Sequence, residues 1–184
     1  MAETLRADVA GRWISGQTEP QWYACYTRAR HEKVVDRLLH ERGFETFLPL
    51  VARESRWKDR KKIVDWPLFP SYVFGRFRLV DAHIVVATPG VAGVVKTNGR
   101  PARIEVEELE NVRRLARALA GGNVDAEQRP FLAEGECVEV MDGPFRGVRG
   151  IVVEHRNRRR VLIGLRAIGQ ALEIDIDTRA LRPV

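Results

Sequence analysis

Residues 67–77, PLFPSYVFGRF, decide how we interpret the fold. Two prolines introduce a run of aromatic and β-branched residues, a composition typical of a central β-strand. In such a strand Tyr72 and Phe74 point to one face of the sheet, and Val73 points to the other. One face of this strand can therefore build a core while the other face forms a groove.

The segments around this strand predict an α+β domain at residues 21–119. A β-prone strand at 22–26 comes first, and a helix is predicted from about Arg30 to Arg42, where Gly43 ends it. A second helix is predicted at 105–119, because apolar residues recur every three or four positions while acids come early and arginines late. The apolar face of the first helix is predicted to comprise Val34, Val35, Leu38 and Leu39.

The pattern changes after residue 119. Residues 120–131 contain strong breakers and few apolar side chains, which predicts a linker. From 132 to 184 the hydrophobic period becomes two, and turn signals separate four or five short strands. We therefore expect a small all-β barrel after the linker, and a flexible leader at residues 1–20, which show no periodicity.

Composition excludes several classes of protein. The 184 residues are 45% hydrophobic and 30% charged, as in ordinary globular proteins. No apolar run approaches the ~18 residues of a membrane span, and the N-terminal residues lack the apolar core of a signal peptide. Cys25 and Cys137 are too few and too widely separated for a disulfide framework, so a cytoplasmic location is expected. The net charge of +6 favours an anionic partner.

Several local strings, in the right order, resemble signature strings of the NusG/Spt5-type transcription elongation factors. They are Trp22-Tyr23, PLFPSYVF at 67–74, TPGV at 88–91, the KOW-like segment 135–153 with DGPF at 142–145, and IGQALEI at 168–174. Within the family the chain is similar to the specialised RfaH and UpxY paralogues. TRARHEK at 27–33 and WKDRKK at 57–62 are of the UpxY kind, and Ser71 stands where housekeeping members usually have glycine.

The resemblance implies a NusG-type N-terminal domain, with an antiparallel sheet flanked by helices, and a KOW β-barrel at 132–184. It also implies that the first domain binds the clamp helices of the largest RNA polymerase subunit through an apolar groove. The residues expected to line this groove are Phe69, Tyr72, Phe74, Val91 and Val94. The alternative for the aromatic residues is that they belong to the core.

A basic stripe at the start of the first helix is the second candidate site. Its side chains can follow the phosphates of a single strand, and a histidine can stack on a base. The resemblance implies contact with the nontemplate and upstream DNA. The alternative is a solvated helix face, partly neutralised by neighbouring acids. The residues of the stripe are Arg28, Arg30, His31, Lys33 and Arg37.

In the barrel, Phe145 and Arg146 lie in the loop between the first two predicted strands. The resemblance implies that this loop binds a small-subunit ribosomal protein or the Rho terminator. The alternative is that Phe145 folds back over the mouth of the barrel. Because Leu172 to Ile176 alternates strictly and glycines interrupt every possible helix, we expect a barrel that does not refold into helices.

Catalysis is not expected from this sequence. The four histidines are scattered without metal-ligand spacing, and no phosphate-binding glycine loop follows a strand. We expect a monomeric transcription elongation and antitermination factor that needs no cofactor or metal and suppresses pausing and termination. Two alternatives stay open: a ribosomal or ribosome-assembly KOW protein that binds RNA, and a housekeeping member of the same family.

Overall fold

The computed structural model describes residues 19–57, 60–120, 126–130, 135–155 and 158–184. The α-helices are α1 (Glu32–Glu41), α2 (Ala82–Val86) and α3 (Val106–Ala120). The strands are β1 (Gln21–Thr27), β2 (Glu45–Phe47), β3 (Leu50–Trp57), β4 (Arg60–Pro67), β5 (Tyr72–Phe77), β6 (Val91–Val94), β7 (Lys96–Thr97), β8 (Arg100–Pro101), β9 (Arg103–Ile104), β10 (Ala126–Pro130), β11 (Cys137–Val140), β12 (Arg149–His155), β13 (Arg158–Leu165), β14 (Gln170–Asp175) and β15 (Leu181–Pro183).

Contacts divide the chain into two compact units, and each unit combines separate segments. The first contains the described residues up to Leu48 together with Pro70–Arg103, and the second contains Pro49–Phe69 and Ile104–Val184. The predicted boundaries at 119 and 132 therefore differ from the division by contacts, which groups α3 with the C-terminal strands.

The first unit is built on an antiparallel sheet in which the strands lie in the order β2-β5-β1-β6. The predicted central strand is confirmed as β5, although it begins at Tyr72 because Pro70 and Ser71 form a turn before it. In its register with β1, Tyr72 is opposite Tyr26 and Phe74 is opposite Ala24. The face of the sheet that carries Tyr26 and Tyr72 is therefore fixed by the pairing of β1 with β5.

Helices α1 and α2 pack with the other face of this sheet. The predicted first helix is confirmed, and Gly43 follows it with a φ of +84°, a conformation that glycine adopts readily. Val35 and Leu39 are buried as expected, but Val34 is 40% exposed. The prediction for Val34 is wrong because the inward face of the helix follows the spacing of Glu32, Val35 and Leu39, which leaves Val34 to one side of it. The core of this unit comprises Tyr23, Cys25, Val35, Leu39, Val73, Phe77 and Val85.

The second unit contains the hairpin β3–β4, helix α3 and a C-terminal sheet. The hairpin pairs Leu50 with Pro67 at one end and Trp57 with Arg60 at the other. Helix α3 agrees with the prediction at 105–119 within one residue. Its buried positions are Leu109, Val112, Leu115 and Leu119, whereas Val106 is exposed.

The C-terminal sheet has six antiparallel strands in the order β10-β14-β13-β12-β11-β15. The predicted linker at 120–131 is wrong in part, because Ala126–Pro130 forms strand β10 and pairs along β14. Residues 121–125 and 131 of that linker lie outside the described residues, as do 1–18 of the predicted leader. Leu172 and Ile174 are buried as the alternation predicts, and buried Glu173 is paired with Arg160 at 3.0 Å.

Candidate protein-binding surface

An exposed pair of tyrosines lies on the sheet of the first unit. The rings of Tyr26 and Tyr72 meet edge to face, with their centroids 5.4 Å apart. Tyr26 is 48% exposed and Tyr72 is partly exposed. Burial, together with the neighbouring Tyr26, raises the pKa of Tyr72 above its usual value, so its hydroxyl stays protonated at neutral pH. Such a pair offers apolar ring surface with polar tips that tolerate water, a composition suited to protein interfaces.

Strand β6 leaves open space on the other side of Tyr26. Gly93 is opposite Tyr26 in the register, and no atom lies within 4 Å of the point that a Cβ of Gly93 would occupy. Across the three strands the same face therefore presents Tyr72, Tyr26 and then bare backbone at Gly93. This surface, which we call the tyrosine surface, comprises the two aromatic rings of Tyr26 and Tyr72 and the open space at Gly93.

The backbone before Tyr72 is held in an unusual conformation. Ser71 has a φ of +67°, in the left-handed region that non-glycine residues rarely adopt. Its N–H donates to Oε1 of Glu32 at 2.7 Å, and its carbonyl accepts the N–H of Thr27 at 2.8 Å. The peptide groups on both sides of Ser71 are therefore fixed before the chain enters β5.

Two of the predicted groove residues are inside the protein. Phe69 and Phe74 are both 0% exposed, so neither contributes surface to a partner in this conformation. Phe74 shares the face of Tyr72, as the strand period predicts, and its ring lies 6.1 Å from that of Phe47. For these two residues the alternative that they belong to the core describes the structure.

Val91 and Val94 lie on the face opposite the tyrosine surface. Val94 is opposite Cys25 and Val91 is opposite Thr27, so both follow the face of β1 that carries the core. Both valines pack against the core cluster of the first unit. The prediction that they share a face with Tyr72 is therefore wrong, and the β6 residue beside Tyr26 on that face is Gly93.

Sequence analysis did not select Tyr26, Gly93 or Glu32. Tyr26 could have been predicted from the sequence, because a tyrosine near the end of β1 can lie opposite Tyr72 if the two strands are neighbours. The position of Gly93 opposite Tyr26 depends on the pairing of β6 with β1, which no local pattern predicts.

The predicted basic stripe is on the surface. The five residues Arg28, Arg30, His31, Lys33 and Arg37 are all exposed, and they lie in the loop before α1 and in its first two turns. Arg37 donates to Glu41 at 3.0 Å, and Nδ1 of His31 lies 3.0 Å from the carbonyl oxygen of Ala29. The stripe is therefore partly neutralised by acids of its own helix, and both interpretations of it remain compatible with the geometry.

The loop before β12 places its two candidate residues differently. Phe145 is 5% exposed, so the alternative in which this ring folds back is the one that the structure has. Arg146 is exposed, between Phe145 and Gly147, whose φ is +79°. Only Arg146 of this predicted pair offers a side chain to a partner.

Among the described residues, none of the helices has the length and apolar composition that a membrane span requires. Over the same residues, no group of three or more His, Cys, Asp or Glu side chains is placed to hold a metal ion.

Comparison of the sequence with curated proteins gives relatives that bear the same name. Each is a transcription termination/antitermination protein NusG. The protein from Rickettsia bellii is 27% identical over 188 residues, covering 96% of this chain and 95% of the relative. The protein from Thermus thermophilus is 27% identical over 175 residues, covering 85% and 95%, and that from Bacillus subtilis is 25% identical over 175 residues, covering 86% and 96%.

Two solved structures resemble this chain over most of its length. A structure described as "Domain interaction in Thermotoga maritima NusG" gives a TM-score of 0.49 at 21% identity, covering 92% of this chain and 99% of that one. A structure of the MjSpt4:Spt5 complex gives a TM-score of 0.29 at 18% identity, covering 89% and 97%.

The family model named NusG, described as transcription termination factor nusG, matches residues 20–113. This segment includes β1, α1, β5 and β6, and with them every residue of the tyrosine surface. The match covers slightly more than half of the 184 residues. The chain therefore belongs to the NusG family of transcription termination and antitermination factors.

Proposed function

We propose that this chain is a transcription elongation and antitermination factor that binds the clamp helices of the largest RNA polymerase subunit through its tyrosine surface. The observation that supports this function is the exposed, edge-to-face pair of Tyr26 and Tyr72 beside open Gly93. This surface lies in the segment that matches the family model. An amphipathic helix pair can lay apolar side chains against the two rings and over the open backbone at Gly93.

Binding alone accounts for the proposed activity, and no bond chemistry is required. If the factor binds the closed clamp better than the open clamp of a paused polymerase, it shifts the population toward the closed state. The ratio of closed to open clamp can rise at most by the ratio of the two affinities, and pausing and termination fall as the open state becomes less populated. Tyrosine rings suit the role because they provide large contact areas at a low cost in conformational entropy.

The basic stripe is proposed as a contact with DNA near the polymerase. Arg28, Arg30 and Lys33 project from the first turn of α1 and the loop before it, where they can follow the phosphates of the nontemplate strand. His31 is exposed beside them and can stack on an unpaired base. The C-terminal sheet is proposed to be a KOW module whose loop at Arg146 binds a ribosomal protein or Rho.

We further propose that the chain is an operon-specific antiterminator of the RfaH and UpxY kind, as its sequence strings imply. The curated relatives are NusG proteins, so this narrower assignment needs its own test. Transcript profiling of a deletion strain separates the two roles. Loss of the distal genes of a few long operons supports the specialised role, whereas a broad defect in transcription supports a general factor.

Binding to a purified clamp-helix fragment of the source organism's RNA polymerase tests the main proposal. We expect Tyr26→Ala and Tyr72→Ala each to weaken binding by about tenfold or more, as for aromatic residues at an interface centre. Trp66→Ala is the matched control, because Trp66 is 50% exposed and lies outside the tyrosine surface. Unchanged affinity in both tyrosine variants, or an equal loss in the Trp66 variant, would contradict the proposed site.

A further inference from the structure

We infer that Glu32 is a positioning residue for the tyrosine surface: its carboxylate holds Ser71 in the left-handed conformation that sets Tyr72 against Tyr26. The inference rests on the proposed function, and it names a residue that touches no partner itself. Glu32 is the first residue of α1, and it is only 6% exposed.

A buried carboxylate needs a hydrogen-bond partner, because desolvation of an unpaired charge is costly. The partner of Glu32 is the backbone N–H of Ser71, 39 positions away, at 2.7 Å. A carboxylate that accepts a backbone N–H forms a short and strong hydrogen bond. Glu32 therefore joins the start of α1 to the residue before β5.

Ser71, whose N–H donates this hydrogen bond, has a backbone conformation that needs support. Ser71 has a φ of +67°, which is unfavourable for a residue with a Cβ. A residue in this region persists where its surroundings over-determine it. Glu32 fixes the N–H of Ser71, and the N–H of Thr27 fixes its carbonyl at 2.8 Å.

The two bonds lie on either side of the tyrosine pair. Tyr72 directly follows Ser71, and Tyr26 directly precedes Thr27. Without the Glu32 bond, Ser71 can relax toward a negative φ, which rotates the peptide that leads into Tyr72. The 5.4 Å arrangement of the two rings would then be one of several populated states, and a partner would bind with lower apparent affinity.

Rescue by glycine separates positioning from a general structural role. If Glu32 acts by holding Ser71, then Ser71→Gly removes the need for it, because glycine adopts positive φ without a Cβ clash. We expect Glu32→Ala to weaken binding of the full chain to the clamp-helix fragment about tenfold, and Glu32→Gln, which keeps an acceptor oxygen, by less than about threefold. The double variant Glu32→Ala/Ser71→Gly should return to within about threefold of Ser71→Gly alone.

The matched control is Glu41→Ala, which removes an exposed carboxylate from the same helix and breaks its ion pair with Arg37. If Glu32→Ala binds as tightly as Glu41→Ala, the inference is wrong. It is also wrong if the double variant is folded and binds as weakly as Glu32→Ala, because the loss then does not pass through Ser71.

Hydrogen exchange tests the same bond without a partner and covers the case in which Glu32→Ala does not fold. The Ser71 amide should be protected in the wild type and lose most of its protection in Glu32→Ala. Where that variant is unfolded, Glu32→Gln should keep most of the protection, and fast exchange of the Ser71 amide in the wild type would overturn the inference. Failure of the wild type to bind the clamp fragment, with Ser71 protected, would instead count against the proposed function.

Discussion

Tyr26 and Phe74 lie on the same face of the first sheet, yet Tyr26 is 48% exposed and Phe74 is completely buried. The boundary between core and surface therefore crosses this face between β5 positions 72 and 74. Of the aromatic side chains on this face of the sheet, Phe74 belongs to the core and Tyr26 lies at the surface. Substitutions of the two residues should therefore affect stability differently.

Phe74→Ala should destabilise the protein, whereas Tyr26→Ala and Tyr72→Ala should leave it nearly as stable as the wild type. Truncation of a fully buried phenylalanine costs about 3–5 kcal/mol of unfolding free energy. Loss of one exposed ring should cost about 1 kcal/mol or less, most of it from the edge-to-face contact. Denaturant unfolding of the three variants measures this, and a stable Phe74→Ala protein would show that the ring does not belong to the core.

Two arginines, Arg37 within α1 and Arg42 directly after it, should contribute very different amounts to the unfolding free energy. Nη1 of Arg42 donates to the carbonyl of Ile84 at 3.0 Å and to Oγ1 of Thr88 at 3.1 Å, which ties α1 to the end of α2. Because hydrogen bonds from charged groups contribute more than neutral ones, Arg42→Ala should lower the unfolding free energy by about 1.5–3 kcal/mol.

Arg37→Ala is the control for this measurement. Arg37 makes an exposed ion pair with Glu41, four positions along the same helix, and such pairs contribute only about 0.3–0.5 kcal/mol. Thermal or denaturant unfolding measures both variants. An equal loss of unfolding free energy in the two would mean that the hydrogen bonds of Arg42 to Ile84 and Thr88 do not stabilise the protein.

Replacement of Gly90 by alanine should destabilise the protein for two reasons, a steric clash of the new Cβ and an unfavourable backbone conformation. The φ of Gly90 is +94°, and a Cβ there would meet Cγ2 of Val35 at 2.9 Å and Cβ of His31 at 3.3 Å. Gly99 also has a positive φ, +77°, but open space surrounds its Cβ position. Gly99→Ala should therefore cost about 1–2 kcal/mol through φ alone, and Gly90→Ala should cost more.

The comparison can be made by differential scanning calorimetry on the two single variants. The larger drop in melting temperature should belong to Gly90→Ala, because the turn at 88–90 packs against α1. A larger drop for Gly99→Ala would contradict the packing that the structure gives to this turn.

Local patterns predicted the elements, whereas contacts between distant segments decided what reaches the surface. The period of β5 placed Tyr72 and Phe74 on one face, and the helix at 105–119 was predicted within one residue. Burial of Phe74 depends on residues far away in sequence, so the pattern of β5 could not predict it. The same holds for Val91 and Val94, whose face follows from the pairing of β6 with β1, in which a register shift brings Val91 opposite Thr27.

Strand β10 was not predicted for a similar reason. Residues 126–130 have the polar composition of a linker, and they become a strand only because β14 offers its edge. Glu32 is the clearest case within the candidate site. A glutamate at the start of a helix is typical of a solvated first turn, and only the tertiary fold brings Ser71 to its carboxylate.

The two cysteines should react very differently with alkylating reagents. Cys25 is completely buried in the core of the first unit, and burial raises its pKa to about 12. Since the thiolate is the nucleophile, only about one Cys25 in ten thousand would be ionised at about pH 8 even before access is considered. Cys137 is exposed. Mass spectrometry after iodoacetamide treatment should therefore show one label, on Cys137, in the native protein and two in the denatured protein.

The raised pKa of Cys25 also predicts how stability changes at alkaline pH. In the unfolded chain this thiol ionises near its ordinary value of 9.0, while in the folded chain it keeps its proton up to about pH 12. The unfolded state therefore binds fewer protons across this range, and the unfolding free energy falls as the pH rises. Cys25→Ala should remove this part of the decline. Native-state labelling of Cys25 at a rate similar to that of Cys137, together with an unchanged alkaline slope in Cys25→Ala, would contradict the burial of this thiol.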